Sequence, residues 1–216
     1  MTYNPQEHNP RSIRLKGYDY TSPGSYFVTI CTQDRVHLFG QVVDAEMQLN
    51  PYGRVVDTYL SRIPDHFPHV TLDAWVVMPN HVHAIITITA DHRRGDAILD
   101  SLSGMMDDAD SATSSALSGD CRIASPLPPP QHPTGAPSGS LGAIVGNFKY
   151  IATRRINRMR HTPGADVWQR NYWEHIIRNQ AAYKRIEAYI HNNPARWEQD
   201  RLHPDAPRPI YPVTQA

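Results

Sequence analysis

Cysteine is nearly missing from this chain. Of 216 residues only Cys31 and Cys121 carry a thiol, and neither has a partner at C-x-x-C spacing. That argues against a disulfide framework and against a thiolate zinc site, and it suits a reducing cytoplasm. Long apolar runs are missing too: nothing approaches the roughly eighteen residues that a membrane-spanning helix needs. Met1 to Pro10 is polar, so the expectation is a protein with neither a membrane span nor a secretory signal. A net charge is also lacking, because 21 Lys and Arg balance 21 Asp and Glu. No global field therefore advertises a nucleic-acid partner. Finally, the regular strand–helix alternation of a doubly wound fold does not occur.

What the chain does hold is unevenly placed. From Leu141 to His203 there are eleven Lys and Arg against five Asp and Glu, whereas Asp91 to Asp120 has two Arg against seven Asp. A neutral total thus conceals a basic C-terminal half and an acidic middle. The organising stretch is Trp75-Val76-Val77-Met78-Pro79-Asn80-His81-Val82-His83-Ala84-Ile85-Ile86-Thr87-Ile88. It reads as an apolar strand, a Pro-Asn break and a second strand that opens with two histidines. Side chains alternate along a strand, so His81 and His83 share a face about 7 Å apart. Two imidazoles so placed make half of a divalent metal site. The spacing alone equally fits an exposed histidine pair on a half-solvated sheet.

In chain order, residues 1–17 form a polar arm bearing Arg11, Arg14 and Lys16. Ser25 to Thr32 is rich in β-branched and aromatic residues and predicts the first strand. Val36 to Val43 and Glu46 to Leu49 predict a second strand and a short return. Asn50-Pro51 signals a helix start, with Val55, Val56, Tyr59, Leu60 and Ile63 as its buried stripe and Pro64 and Pro68 as its stop. Val70 to Val77 and His81 to Thr89 are the central strands. Residues 91–140, acidic and then proline-rich, lack apolar periodicity and read as a disordered insertion. Such an insert should be dispensable for folding, and its acidic part should compete with any anionic ligand for nearby cations. Leu141 to Met159 predicts a helix with Leu141, Ile144, Val145, Phe148, Ile151, Ala152 and Ile156 inward. Arg154, Arg155 and Arg158 near its end either complement the helix dipole or line a phosphate track, as Lys149 also can. Val167 to Arg178 predicts a strand, and Gln180 to Asn192 a last helix with Ala182, Ile186 and Ile190 inward. Beyond Trp197 the chain is expected to wrap the surface. Together these elements predict an α+β fold: an antiparallel sheet covered by helices on one face. One domain spans 11–200, interrupted at 91–140, with 201–216 as a tail.

The last helix supplies what the histidine pair lacks. Tyr189 and Asn193 stand four apart, so they share a helix face. A phenol and an amide can thereby sit beside His81 and His83 as a nucleophile and a further oxygen ligand. The bland reading makes Tyr189 a core-edge residue and Asn193 a C-cap. Tyr150, beside Lys149, is the rival nucleophile, but Arg154 four residues on cannot ligate a metal.

Pro79-Asn80-His81-Val82-His83 followed by Tyr189-Ile190-His191-Asn192-Asn193-Pro194 resembles the single-tyrosine HUH transposases, and most of all their REP-associated tyrosine transposase branch. Arg14-Leu15-Lys16-Gly17-Tyr18-Asp19-Tyr20 and Val167-Trp168-Gln169-Arg170-Asn171-Tyr172-Trp173-Glu174-His175 are similar to that branch as well. The resemblance covers residues 11–90 and 141–200. It implies the ferredoxin-like, RRM-like HUH endonuclease fold, in a monomer or homodimer. It further implies a single-stranded DNA endonuclease and strand transferase acting at hairpin-bearing DNA. By resemblance His81 and His83 bind Mg2+ or Mn2+, and Tyr189 attacks a phosphodiester to leave a 5′-phosphotyrosine and a free 3′-hydroxyl. The insertion-sequence branch usually carries Gln four residues after the tyrosine as a third ligand, where this chain has Asn193. Two readings from other classes stand beside this one: a domesticated nucleic-acid-binding module, and a metal phosphodiesterase that uses water.

Overall fold

The computed structural model describes residues 15, 17–90 and 136–206. Arg11, Arg14 and Lys16 lie outside the described residues, as does nearly all of the acidic and proline-rich insert.

Among the described residues six strands form two sheets. β1 (Gly24–Cys31), β4 (Val70–Met78), β5 (His81–Ile88) and β6 (Trp173–Ile177) make a four-stranded sheet in the order β4-β5-β1-β6. Every pairing in it is antiparallel. β2 (Gly40–Val43) and β3 (Glu46–Leu49) form a separate hairpin. Between β3 and β4 run α1 (Pro51–Ser61) and the short α2 (Ile63–His66). α3 (Leu141–Met159) follows β5, and α4 (Gln180–His191) follows β6. The main sheet with its crossover helices is thus a β-α-β-β-α-β unit of the ferredoxin-like kind, as the α+β expectation required.

Local chemistry explains the element starts. The Asn50 side chain accepts hydrogen bonds from the Tyr52 and Gly53 backbone N–H groups, both at 2.9 Å, with Pro51 at the first helical position. Ser140 caps α3 through the Ala143 N–H, and Asn179 caps α4 through the Ala182 N–H. Pro64 does not stop the helical path as expected. It sits in the first turn of α2, where proline's missing N–H has no cost. The strand expected over Val167 to Arg178 is shorter, because the Trp168 region makes only an isolated bridge to Thr32 before β6 begins at Trp173.

Right-handed crossovers put α1 and α3 on the same face of the sheet. That face carries the main core: Tyr26, Val28 and Ile30 from β1 and Val82, Ala84, Ile86 and Ile88 from β5, packed with Val56, Leu60, Ile144, Phe148 and Ile156. The expectation of helices on one face only is corrected by α4, which comes after the last strand, is bound by no crossover, and lies over the opposite face, where Ile190 packs with Phe27, Ala74 and Ile85. Among the described residues no helix is long and apolar enough to cross a membrane.

Candidate active site

The alternation predicted from sequence carries through. His81 and His83 lie on the α4 side of the sheet, with Val82 in the core on the other side. Both imidazoles are almost wholly buried. The strand pairing sets His83 in a row with Val76 of β4, Thr29 of β1 and Trp173 of β6.

Each ring is held by its Nδ1. Asn80 Oδ1 lies 2.8 Å from His81 Nδ1, and Thr29 Oγ1 lies 2.9 Å from His83 Nδ1. The Asn80 amide donates to the Leu202 carbonyl at 2.8 Å and to that of Arg35 at 3.3 Å. Its Oδ1 must therefore be the acceptor, so His81 donates from Nδ1 and keeps a lone pair on Nε2. The two Nε2 atoms face each other at 3.1 Å. Burial, with a smaller contribution from Arg35, pushes the pKa of His81 down to about 3. His83 is pushed down too, by burial and then by His81, against a small opposing pull from Asp200. A buried neutral imidazole that turns its Nε2 lone pair into the site, as His81 does, is what a cation requires.

α4 delivers Tyr189 and Asn193 to this point. The Tyr189 hydroxyl lies 3.2 Å from His83 Nε2 and 3.4 Å from an Asp200 carboxylate oxygen. Burial and then the Asp200 charge raise its pKa to about 12. Asn193 is not a C-cap, a position taken by Asn192. It is buried, donates Nδ2 to Asp200 at 3.2 Å, and leaves its Oδ1 buried without a hydrogen-bond partner. A buried carbonyl oxygen without a partner is costly unless something else satisfies it.

Asp200 is the site residue that sequence reading missed. Its carboxylate, with His81 and His83, forms the one His/Cys/Asp/Glu cluster among the described residues that can hold a metal ion, with ligand atoms within 4.8 Å of one another. It arrives on a turn after the 3-10 helix Pro194–Gln199. Beyond Trp197 the described chain runs largely exposed, but Asp200 and Leu202 reach inward, which the expectation of a surface wrap did not include. Trp197 is buried, with its ring centroid 5.9 Å from that of His81. The Leu202 carbonyl ties down Asn80, which explains why the Pro79-Asn80 turn between β4 and β5 is itself buried. Only the approach of distant residues reveals this, and no local motif around Asp200 signals it.

The basic residues fall elsewhere. Arg154, Arg155 and Arg158 are exposed on α3, so the sheet stands between them and the histidine pair. Tyr150 shares that helix, is exposed and accepts from Arg154 at 3.3 Å. Lys149 donates to the carbonyls of Gln169 and Arg170 at 2.6 and 3.1 Å and thereby fixes the loop that leads into β6.

A metal ion fits these residues. Octahedral neighbours about 2.1 Å from Mg2+ stand about 3.0 Å apart, close to the observed Nε2 separation. The Nδ1 partners supply the outer support that ligating histidines usually have. The Asn193 oxygen supplies an unengaged donor.

No family model matches the chain. It is 39% identical over 203 residues to an uncharacterized protein of Haemophilus influenzae, covering 94% of this chain and 98% of that one. It is 21% identical over 212 residues to a putative REP-associated tyrosine transposase of the same organism, covering 90% and 88%. A stretch of 60 residues, 24% of this chain and 36% of the other, is 33% identical to a REP-associated tyrosine transposase of Escherichia coli. Among solved structures, a REP-associated tyrosine transposase bound to a REP hairpin superposes with a TM-score of 0.50 at 18% identity, covering 94% of this chain and 92% of that one, and shares the fold. The named relatives, REP-associated tyrosine transposases, are thus similar to this chain at 21% identity over most of its length and at 33% over a short stretch, and the solved one shares its fold.

Proposed function

We propose that the protein cuts and rejoins single-stranded DNA beside a hairpin, through a phosphodiester link to Tyr189. The carrying observation is the phenol 3.2 Å from His83 Nε2, on the edge of a buried pair of neutral imidazoles. His81, His83 and Asn193 would hold Mg2+ or Mn2+. When bound, the ion supplies charge that polarises a phosphate and offsets negative charge in the transition state.

The chain's own residues do the rest. Asp200 accepts a hydrogen bond from the Tyr189 hydroxyl and is the nearest carboxylate able to take its proton. It also holds Asn193 by Nδ2, which leaves Oδ1 unbonded and buried. The phenol oxygen forms a bond to phosphorus, and the bond from phosphorus to the 3′ oxygen breaks. That oxygen leaves with a proton as a free 3′-hydroxyl, and the 5′ side stays on the tyrosine. The reverse step joins the 5′ side to any 3′-hydroxyl without ATP. Burial matters because a phenol with a raised pKa is a poor nucleophile unless a base and a cation adjoin it.

The test incubates hairpin-bearing single-stranded DNA with the protein and Mg2+ or Mn2+, then denatures the mixture. A covalent protein–DNA adduct that chelator prevents supports the reading. Cleavage without an adduct points to water as nucleophile, and binding without cleavage points to a domesticated binding module.

A further inference from the structure

The α4 side of the sheet is not covered evenly. α4 seals it over Ala74, Ile85 and Phe27. Further along, on the edge strand β6, Trp173 and His175 project from the same face and stay exposed. Trp173 retains 46% of its surface in solvent, a large open area for the most apolar of the polar-tipped aromatics. Its neighbour Phe27 is only 7% exposed and joins Trp173 to the active site. The Phe27 ring centroid lies 5.6 Å from that of Trp173, 6.0 Å from that of Tyr189 and 5.2 Å from that of His83. The Trp173 and His175 rings are stacked, with planes 4° apart and centroids at 6.0 Å, so together they form a short aromatic stack. In the strand pairing, Trp173 lies two strands from His83 in the same row, a separation of roughly 10 Å.

From this geometry we infer that Trp173, extended by His175, is the stacking platform for an unpaired nucleobase of the strand held at Tyr189. The inference rests on the strand-processing reading of that site. Three observations select a nucleobase as occupant. The surface is aromatic and solvent-facing, and every base offers a π-face to such a ring. Arg170 and Arg178 bracket β6 in sequence and are exposed, as a phosphodiester backbone running past the platform requires. Glu174, the acidic residue between the two rings, points into the opposite face beside Val28, so it places no negative charge on the platform. The platform is also continuous with the site through Phe27, so a few nucleotides span from a phosphate at Tyr189 to a base over Trp173. A purely structural role for Trp173 accounts for its edge contact with Phe27 but leaves its exposed face unused.

The experiment compares affinity for a single-stranded oligodeoxynucleotide with that for an abasic strand of equal length, using Tyr189→Phe protein so that no adduct forms. The wild-type surface should bind the base-bearing strand about tenfold or more tighter than the abasic one. Trp173→Leu, which keeps apolar bulk without a π-face, should reduce that ratio about tenfold while affinity for the abasic strand stays level. Trp173→Tyr should keep most of the ratio. An unchanged ratio in Trp173→Leu, with binding intact, would overturn the platform alone. Failure of the wild-type surface to bind either strand would overturn the strand-processing reading and the platform with it.

Discussion

The two faces of the central sheet are built from the same strands, one residue out of step, and they are buried by different means. On the α1/α3 face, Tyr26, Val28, Ile30, Val82, Ala84 and Ile86 bury hydrocarbon against helices. On the α4 face, Thr29, His81, His83 and Asn193 are equally buried, yet they are polar. Burial is favourable for the first group and costly for the second. The second group is tolerated because its Nδ1 atoms and amides are bonded one by one, to Thr29, Asn80, Leu202 and Asp200. Among these four residues the one side-chain polar atom left without a hydrogen-bond partner is the Asn193 oxygen. One face therefore holds the fold together, and the other gathers polar groups that could hold a cation, at the expense of some stability.

The first way to break that contrast is to damage the apolar face. Ile86→Ala should cost about 2–5 kcal/mol, read by denaturant unfolding, because it opens a cavity beneath the helices. Adduct yield per folded molecule should stay near that of the intact protein. A variant that unfolds no earlier would show that this face is not the main core.

His83→Ala should show the mirror image. Adduct formation should fall at least roughly a hundredfold, equivalent to about 3 kcal/mol. The rise in melting temperature that Mn2+ gives the intact protein should vanish. An undiminished Mn2+ shift in the variant would remove His83 from the metal site.

Asn80→Ala tests the supports rather than the ligands. It removes the hydrogen bonds to His81, Leu202 and Arg35, and should cost about 1–3 kcal/mol of stability. Metal affinity should drop about tenfold to a hundredfold, because the His81 ring loses its anchor. Unaltered metal affinity, measured by calorimetric titration, would show that the ring needs no such anchor.

The smallest effect on the fold belongs to Tyr189→Phe. Only one hydroxyl and its two long contacts are lost, so stability should change by less than about 1 kcal/mol. Single-stranded DNA binding should persist while adduct formation stops. A variant with weakened binding would make the hydroxyl a DNA contact as well.

Much of this was legible in the sequence. Alternation put His81 and His83 on one face, helical spacing put Tyr189 and Asn193 on another, and Asn50-Pro51 and Leu141 to Met159 marked two helices by capping and periodicity. What escaped was set by contacts far apart along the chain. Asp200 acquires its place only because Leu202 reaches Asn80 across 122 positions. The helices were all expected on one face, since nothing local distinguishes a crossover helix from one that follows the last strand. The density of arginines at the end of α3 suggested either a complement to the helix dipole or a phosphate track, and the sequence could not say on which side of the sheet they lie. The sheet in fact separates them from the histidine pair.

The central claim is that Tyr189, beside the histidine pair, becomes covalently joined to DNA. Its most direct measurement is mass spectrometry of trypsin-digested adduct after nuclease trimming. The account predicts nucleotide mass on the peptide of residues 186–196, which contains Tyr189, and none when Mn2+ is chelated. Nucleotide mass on the peptide of residues 150–154, which contains Tyr150, would contradict it.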